Sequence, residues 1–213
     1  CIMEKAPTHN FQISISKEEL SRLPLANYNN GAQVIESEDG LGEAIDHLSQ
    51  ARIIGFDTET RPSFRKGTTY NVALLQLASP ERAYLFRLNK LGAHPRLLEL
   101  LENPALLKVG VSLHDDFHSL GRICDIKPQG FIDLQQYVKR YSIADNSLAR
   151  IYGILFGQRI SKGQRLTNWE ADKLTSAQIN YAAFDAVACI QIYDYITRGA
   201  FRPEDSQYIK EVI

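Results

Sequence analysis

"IIGFDTET", residues 53–60, is an apolar run that ends in two carboxylates, Asp57 and Glu59, one residue apart. An apolar run of this length predicts a buried strand. Strand side chains alternate, so both acids emerge on one face, roughly 7 Å apart along the strand. Two like charges so placed repel, and burying them demands something positive between them. An oxygen-only donor set without cysteine suits Mg²⁺ or Mn²⁺. The alternative is a strand end whose acids simply face water.

Working outward, "AQVIES" predicts a short strand, and "EDGLGEAIDHLSQA" sets Leu41, Ala44, Ile45 and Leu48 at helical spacing before the opening strand. "NVALLQLAS" and "RAYLFRL" are two further strands joined through "SPE" as a hairpin. "HPRLLELLEN" is an amphipathic helix closed by "NP", and "LLKVGVS" is another buried strand. Helical spacing dominates from "HDDFHSLGRI" onward, broken by "KPQGFIDL" and by the Gly-rich "YGILFGQRISKGQ". The last long helix starts near Ser176 and runs through "AQINYAAFDAVACIQIYDYI". Strands alternating with helices, plus one hairpin, predict an α/β layered domain around a mixed sheet. Residues 1–31, with a helix start at "SKEEL" and a turn at "NYNNG", read as an arm packed on a single domain over 32–213.

Composition bounds the function. The chain has 213 residues, 44% hydrophobic and 23% charged, which places it among ordinary globular domains. Three cysteines without a C-x-x-C pair suggest neither a disulfide framework nor a cysteine zinc site, and fit a reducing cytoplasm. No apolar stretch is long enough for a membrane helix, and "CIMEKAPTHN" lacks the layout of a secretory signal, so a soluble cytoplasmic protein without a membrane partner is expected. A net charge of −1 argues against a strongly cationic binder of nucleic acid. It leaves open a polyanion engaged through bound metal.

Two more acidic clusters accompany the first. "HDDFHSL" follows a buried strand, at the strand-to-helix turn where α/β sheets place ligands, although Asp115 or Asp116 could equally cap the helix. His114 and His118 stand four apart, a zinc-compatible spacing that lacks the glutamate of a zincin motif. In "YAAFDA", Tyr181 and Asp185 are also four apart and project from one helix face. The alternative there is a core tyrosine beside a surface aspartate.

Together "GFDTET" with "NVALLQLAS", "KVGVSLHDDFHSL", and "YAAFDA" preceded by "RLTNWEADKLTSAQ" resemble the DEDD superfamily of 3′-5′ exonucleases, in the ribonuclease D and Werner-syndrome exonuclease branch. The resemblance spans nearly all of residues 34–198. It places the family's second metal-binding aspartate at Asp116. It also selects the tyrosine branch, since the position of the histidine branch's catalytic residue holds Asn180 while Tyr181 stands four before Asp185. The fold implied is ribonuclease H-like, with three layers: a mixed five-stranded sheet, one strand antiparallel, and helices on both faces.

The implied activity is two-metal hydrolysis of DNA or RNA from a 3′ end, releasing nucleoside 5′-monophosphates. Asp57, Glu59, Asp116 and Asp185 are the implied ligands of two Mg²⁺ or Mn²⁺ ions, and Tyr181 orients the attacking water. The partner is then a single-stranded or 3′-ended nucleic acid. Arg61, Arg65, Lys66, Lys162 and Arg165 are candidate strand contacts, and Trp169 and Phe117 candidate base-stacking rings. Two competing readings are a catalytically silent nucleic-acid-binding module of the same fold, and a zinc hydrolase built on His114 and His118.

Overall fold

A computed structural model of the chain describes residues 9–212. In chain order the elements are β1 (Phe11–Ile13), α1 (Lys17–Ser21), β2 (Gln33–Ile35), α2 (Leu41–Ser49), β3 (Ile53–Thr60), β4 (Val72–Ala78), β5 (Ala83–Arg87), α3 (Leu88–Leu91) and α4 (Pro95–Glu102). Next come β6 (Leu107–Gly110), α5 (Leu113–Leu120), β7 (Phe131–Asp133), α6 (Leu134–Tyr137), α7 (Leu148–Phe156), α8 (Ser176–Thr197) and β8 (Ile209–Glu211). The main sheet runs β2-β5-β4-β3-β6-β7, with β4 antiparallel to the other strands. This is the α/β, ribonuclease H-like arrangement that the motifs imply.

The sheet has six strands rather than five. The sixth, β7, lies inside "KPQGFIDL", where the sequence reads as a break in helical spacing. Three residues are too few for alternation to register as a strand signal. The strand begins after Gly130 at φ +71°, and a Cβ there would stand 2.6 Å from the Leu106 carbonyl. Only glycine fits that crossing.

The two faces of the sheet are covered differently. On one, Ile54, Phe56, Leu75 and Leu77 pack with Leu41, Leu48, Leu97 and Leu101 of α2 and α4. On the other, α8 lies against β3 so closely that a Cβ on Gly55 would come 1.8 Å from the Ala186 carbonyl oxygen. Glycine at this point lets a helix backbone rest directly on a strand, and the next outward-facing residues of β3 on that side are Asp57 and Glu59. A reciprocal cap holds the start of α8: Gln178 N–H donates to Thr175 Oγ1 (3.1 Å) and Thr175 N–H to Gln178 Oε1 (3.0 Å).

Segment 9–31 is fastened to this core. β1 pairs antiparallel with β8, and Ile13 and Ile15 are fully buried. The "SKEEL" start forms α1 under a capping box in which Glu19 N–H donates to Ser16 Oγ (3.0 Å) and Ser16 N–H to Glu19 Oε2 (2.7 Å). Among the described residues no helix is long and apolar enough to cross a membrane.

Candidate active site

The site is built where β3 outruns its parallel neighbour. β6 pairs with β3 only as far as Val109 opposite Gly55, while β4 continues alongside to Thr60. From Phe56 on, β3 therefore has a partner on one side only, and its burial changes from complete at Ile53–Phe56 to partial at Asp57–Thr60. The rigid strand thus delivers two carboxylates to a half-open notch beneath α8.

Asp185 of α8 closes that notch. One carboxylate oxygen from each of Asp57, Glu59 and Asp185 lies within 4.8 Å of the others. Burial, followed by the neighbouring Asp185 and Asp116 carboxylates, pushes the Asp57 carboxyl well above the usual range. Burial and the Glu59 charge do the same to Asp185. Glu59 is raised to about 9 by burial, Asp57 and Asp116, with Arg165 pulling the other way. Three acids that hold protons so strongly at one point need an external cation to be ionised together. The donor set is all oxygen, the chemistry of Mg²⁺ or Mn²⁺ rather than of a thiolate or imidazole metal.

Asp116 approaches from α5, half-buried, while Asp115 points to solvent. Its carboxylate accepts a hydrogen bond from Thr58 Oγ1, and burial is the main cause that raises it to about 7. Neither Asp115 nor Asp116 caps the helix through its side chain. That part falls to Asp133, whose carboxylate accepts from Ser112 N–H (3.2 Å), Leu113 N–H (3.1 Å) and Gln135 N–H (2.9 Å). Ser112, at φ 57° and ψ 44°, is in the left-handed region, and the Asp133 clasp holds this turn just ahead of Asp116. The sequence carried one trace of Asp133: an aspartate directly before the helical "LQQY" reads as an N-cap. Its second role, across to Ser112, left none.

Tyr181 is half-buried beside the three carboxylates. Burial, Asp185, Glu59 and Asp57 all raise its hydroxyl well above the ordinary tyrosine value. Behind it lies Trp169, fully buried, with ring centroids 6.0 Å apart. Trp169 therefore supports Tyr181 and offers no face to a base. Phe117 is likewise a packing residue, 5.9 Å from Phe56 and edge-on to Phe131 at 4.8 Å. The Trp169 segment is pinned by Arg87, a buried guanidinium that donates to the carbonyls of Trp169 (3.4 Å), Ala171 and Asp172 (2.8 Å). An arginine at the end of a strand gave no hint of this.

His114 and His118 are exposed on α5, and among the described residues neither joins a cluster of potential metal ligands. Arg65, Lys66, Lys162 and Arg165 are exposed, whereas Arg61 lies 3.4 Å from Glu170 and 4.7 Å over the Tyr70 ring. Arg61 and Arg65 line a cleft of about 470 Å³ together with Leu166 and Asn168.

With this geometry in place, comparison with known proteins identifies the class. The sequence profile described as 3′-5′ exonuclease matches residues 32–199, and the chain belongs to that family of hydrolases. The bifunctional 3′-5′ exonuclease/ATP-dependent helicase WRN of Mus musculus is 34% identical over 152 residues, covering 68% of this chain and 11% of that protein. The Nibbler EXO domain of Aedes aegypti superposes with a TM-score of 0.72 at 21% identity, over 84% of this chain and 97% of the domain. RNase D of Escherichia coli, described as an exoribonuclease involved in structured RNA processing, gives 0.71 at 22% identity, over 81% of this chain and 45% of its own. These two structures show the shared fold. The chain spans about a tenth of the mouse protein's length.

Proposed function

We propose that this chain is a metal-dependent 3′-5′ exonuclease that hydrolyses phosphodiester bonds from the 3′ end of DNA or RNA by a two-metal mechanism and releases nucleoside 5′-monophosphates. The observation that carries this reading is the convergence of Asp57, Glu59 and Asp185 within 4.8 Å, beside Tyr181. Asp57, Glu59 and Asp185 would hold one Mg²⁺ or Mn²⁺ ion, and Asp57 with Asp116 a second. When bound, such ions supply Lewis acidity to the phosphoryl group and lower the pKa of water.

The chain's own residues supply position. Thr58 Oγ1 holds the Asp116 carboxylate in place, and the Asp133 clasp fixes the turn ahead of it. Tyr181, backed by Trp169, would orient the attacking water through its hydroxyl. Arg165, close enough to lower Glu59, and its exposed neighbour Lys162 would meet the phosphates of the strand. A single-stranded or 3′-ended nucleic acid would be the partner. Both sugars stay within the proposal, because the relatives include a DNA polymerase I of Aquifex aeolicus and an exoribonuclease. The same reading covers a single nuclease domain over 32–213 with residues 1–31 as its arm, of which 1–8 lie outside the described residues, working in a reducing cytoplasm, which suits the thiols of Cys124 and Cys189.

The test uses matched single-stranded DNA and RNA, labelled at the 5′ end and incubated with Mg²⁺ or Mn²⁺. A ladder shortening from the 3′ end, abolished by chelator, is the expected result. Intact substrate in both metals would leave the silent binding module as the better account.

A further inference from the structure

The N-terminal arm precedes the residues that match the exonuclease family, 32–199, yet it shares a pocket with Tyr181. Ala26 N–H donates to the Arg159 carbonyl (2.9 Å) and Arg159 N–H to the Pro24 carbonyl (2.9 Å), so the arm lies along the loop after α7. The Arg159 side chain adds a bond from Nε to the Leu23 carbonyl (3.1 Å). Five residues on, Gly31 N–H donates to Asn180 Oδ1 (3.0 Å), and the Tyr28 ring stacks on Phe184 at 5.3 Å with 6° between planes. Residues 25–29 are thus fastened on both sides.

Between the arm and α8 is a pocket of about 210 Å³. Leu25, Asn27 and Asn29 of the arm, Gln164 of the loop, and Asn180 and Tyr181 of α8 contribute to its wall. The wall is unlike the carboxylate notch it adjoins. Its polar groups are neutral carboxamides and hydroxyls, which offer donors and acceptors together, and within the wall Asn29 Nδ2 donates to Asn27 Oδ1 (2.6 Å). Leu25 is 51% exposed, an apolar side chain left uncovered at the rim. A nucleobase presents the complement, an apolar face with a hydrogen-bonding edge. Lys162 and Arg165, exposed on the loop that carries Gln164, place positive charge where the accompanying phosphates would run.

We propose that this pocket holds the substrate strand's nucleobase on the 5′ side of the scissile bond, which makes the arm a gripping element of the site. The inference rests on the exonuclease reading. Its test compares two substrates: a short single-stranded oligonucleotide, and thymidine 5′-monophosphate p-nitrophenyl ester, which keeps the base of the released nucleotide and carries p-nitrophenol in place of the nucleotide on the 5′ side. The variants are Leu25→Glu and the double substitution Asn27→Ala with Asn29→Ala, all three at exposed positions. Losing one base contact corresponds to about a tenfold fall in the ratio of oligonucleotide to ester kcat/KM, carried by the oligonucleotide KM. An unchanged ratio in both variants, or an equal loss on the two substrates, overturns the arm's role. Wild-type protein that cleaves neither substrate in Mg²⁺ or Mn²⁺ overturns the exonuclease reading itself, and this inference with it.

Discussion

Two helices bring an aspartate to the same notch by opposite means. α8 spans 22 residues, and Asp185 is placed by packing, because the helix backbone rests on Gly55 with no side chain between. α5 spans eight residues, starts from a left-handed serine, and owes the placement of Asp116 to polar contacts with Thr58 and to the Asp133 clasp. One position is enforced by excluded volume, the other by directed hydrogen bonds. Crowding a packed position costs about 1–3 kcal/mol, whereas losing one directed hydrogen bond costs about 0.5–1.5 kcal/mol.

The widest expected effect comes from the residue that faces both helices. Asp57→Ala should lower activity on an end-labelled oligonucleotide about a thousandfold or more, with the fold retained, since Asp57 lies past the buried half of β3. In chelator its melting temperature should match or exceed that of the wild type, because a repulsive carboxylate is gone. Substantial residual activity would refute the shared-ligand role.

Gly55→Ala tests the packing side. Its added methyl meets the Ala186 backbone, which cannot turn away as a side chain would, so a loss of about 3 kcal/mol is expected in chemical denaturation. Wild-type stability in this variant would mean that α8 is free to lift, and the comparison would collapse.

Asp133→Ala tests the polar side, and a graded response is expected. Mn²⁺ affinity, followed by titration, should weaken about tenfold, the effect of removing an outer-shell partner. Stability should fall by about 1 kcal/mol, as for a lost cap. If the thermal loss instead equalled that of Gly55→Ala, the two helices would not differ in kind.

The last comparison is the dependence on pH without metal. Glu59 near 9 and Asp116 near 7 lie above ordinary carboxylate values, so the folded protein binds more protons than the unfolded chain between roughly pH 4.5 and 9. Stability in chelator should therefore be greatest below that window and decline as pH rises through it. Saturating Mg²⁺ should flatten the decline. A melting temperature that rises with pH in chelator would contradict the burial of these acids.

Much of this architecture was legible in the sequence because it is periodic. The apolar run that opens residues 53–60 marked β3, and helical spacing through "AQINYAAFDAVACIQIYDYI" marked α8 from near Ser176. The spacing of Tyr181 and Asp185 placed them on one helix face, and the structure brings Asp57, Glu59 and Asp185 together. What escaped is aperiodic. Asp133 clasps residues about twenty positions earlier, Arg87 gathers carbonyls more than eighty positions later, and Gly31 meets Asn180 from the far end of the chain. Such contacts join single polar groups across loops and leave no repeating mark. Trp169 and Phe117 show the converse, since an aromatic side chain is written identically whether it lies in the core or faces a ligand.

The division of β3 has a consequence for how such a domain can change. Ile53–Phe56 hold the fold together, while Asp57–Thr60 extend into the notch where only β4 accompanies them. Inheritance can rewrite the second half without disturbing the first. A copy that exchanged its acids for neutral residues would keep the packed half of β3 and its contact with α8, and would lose only the carboxylates that converge in the notch.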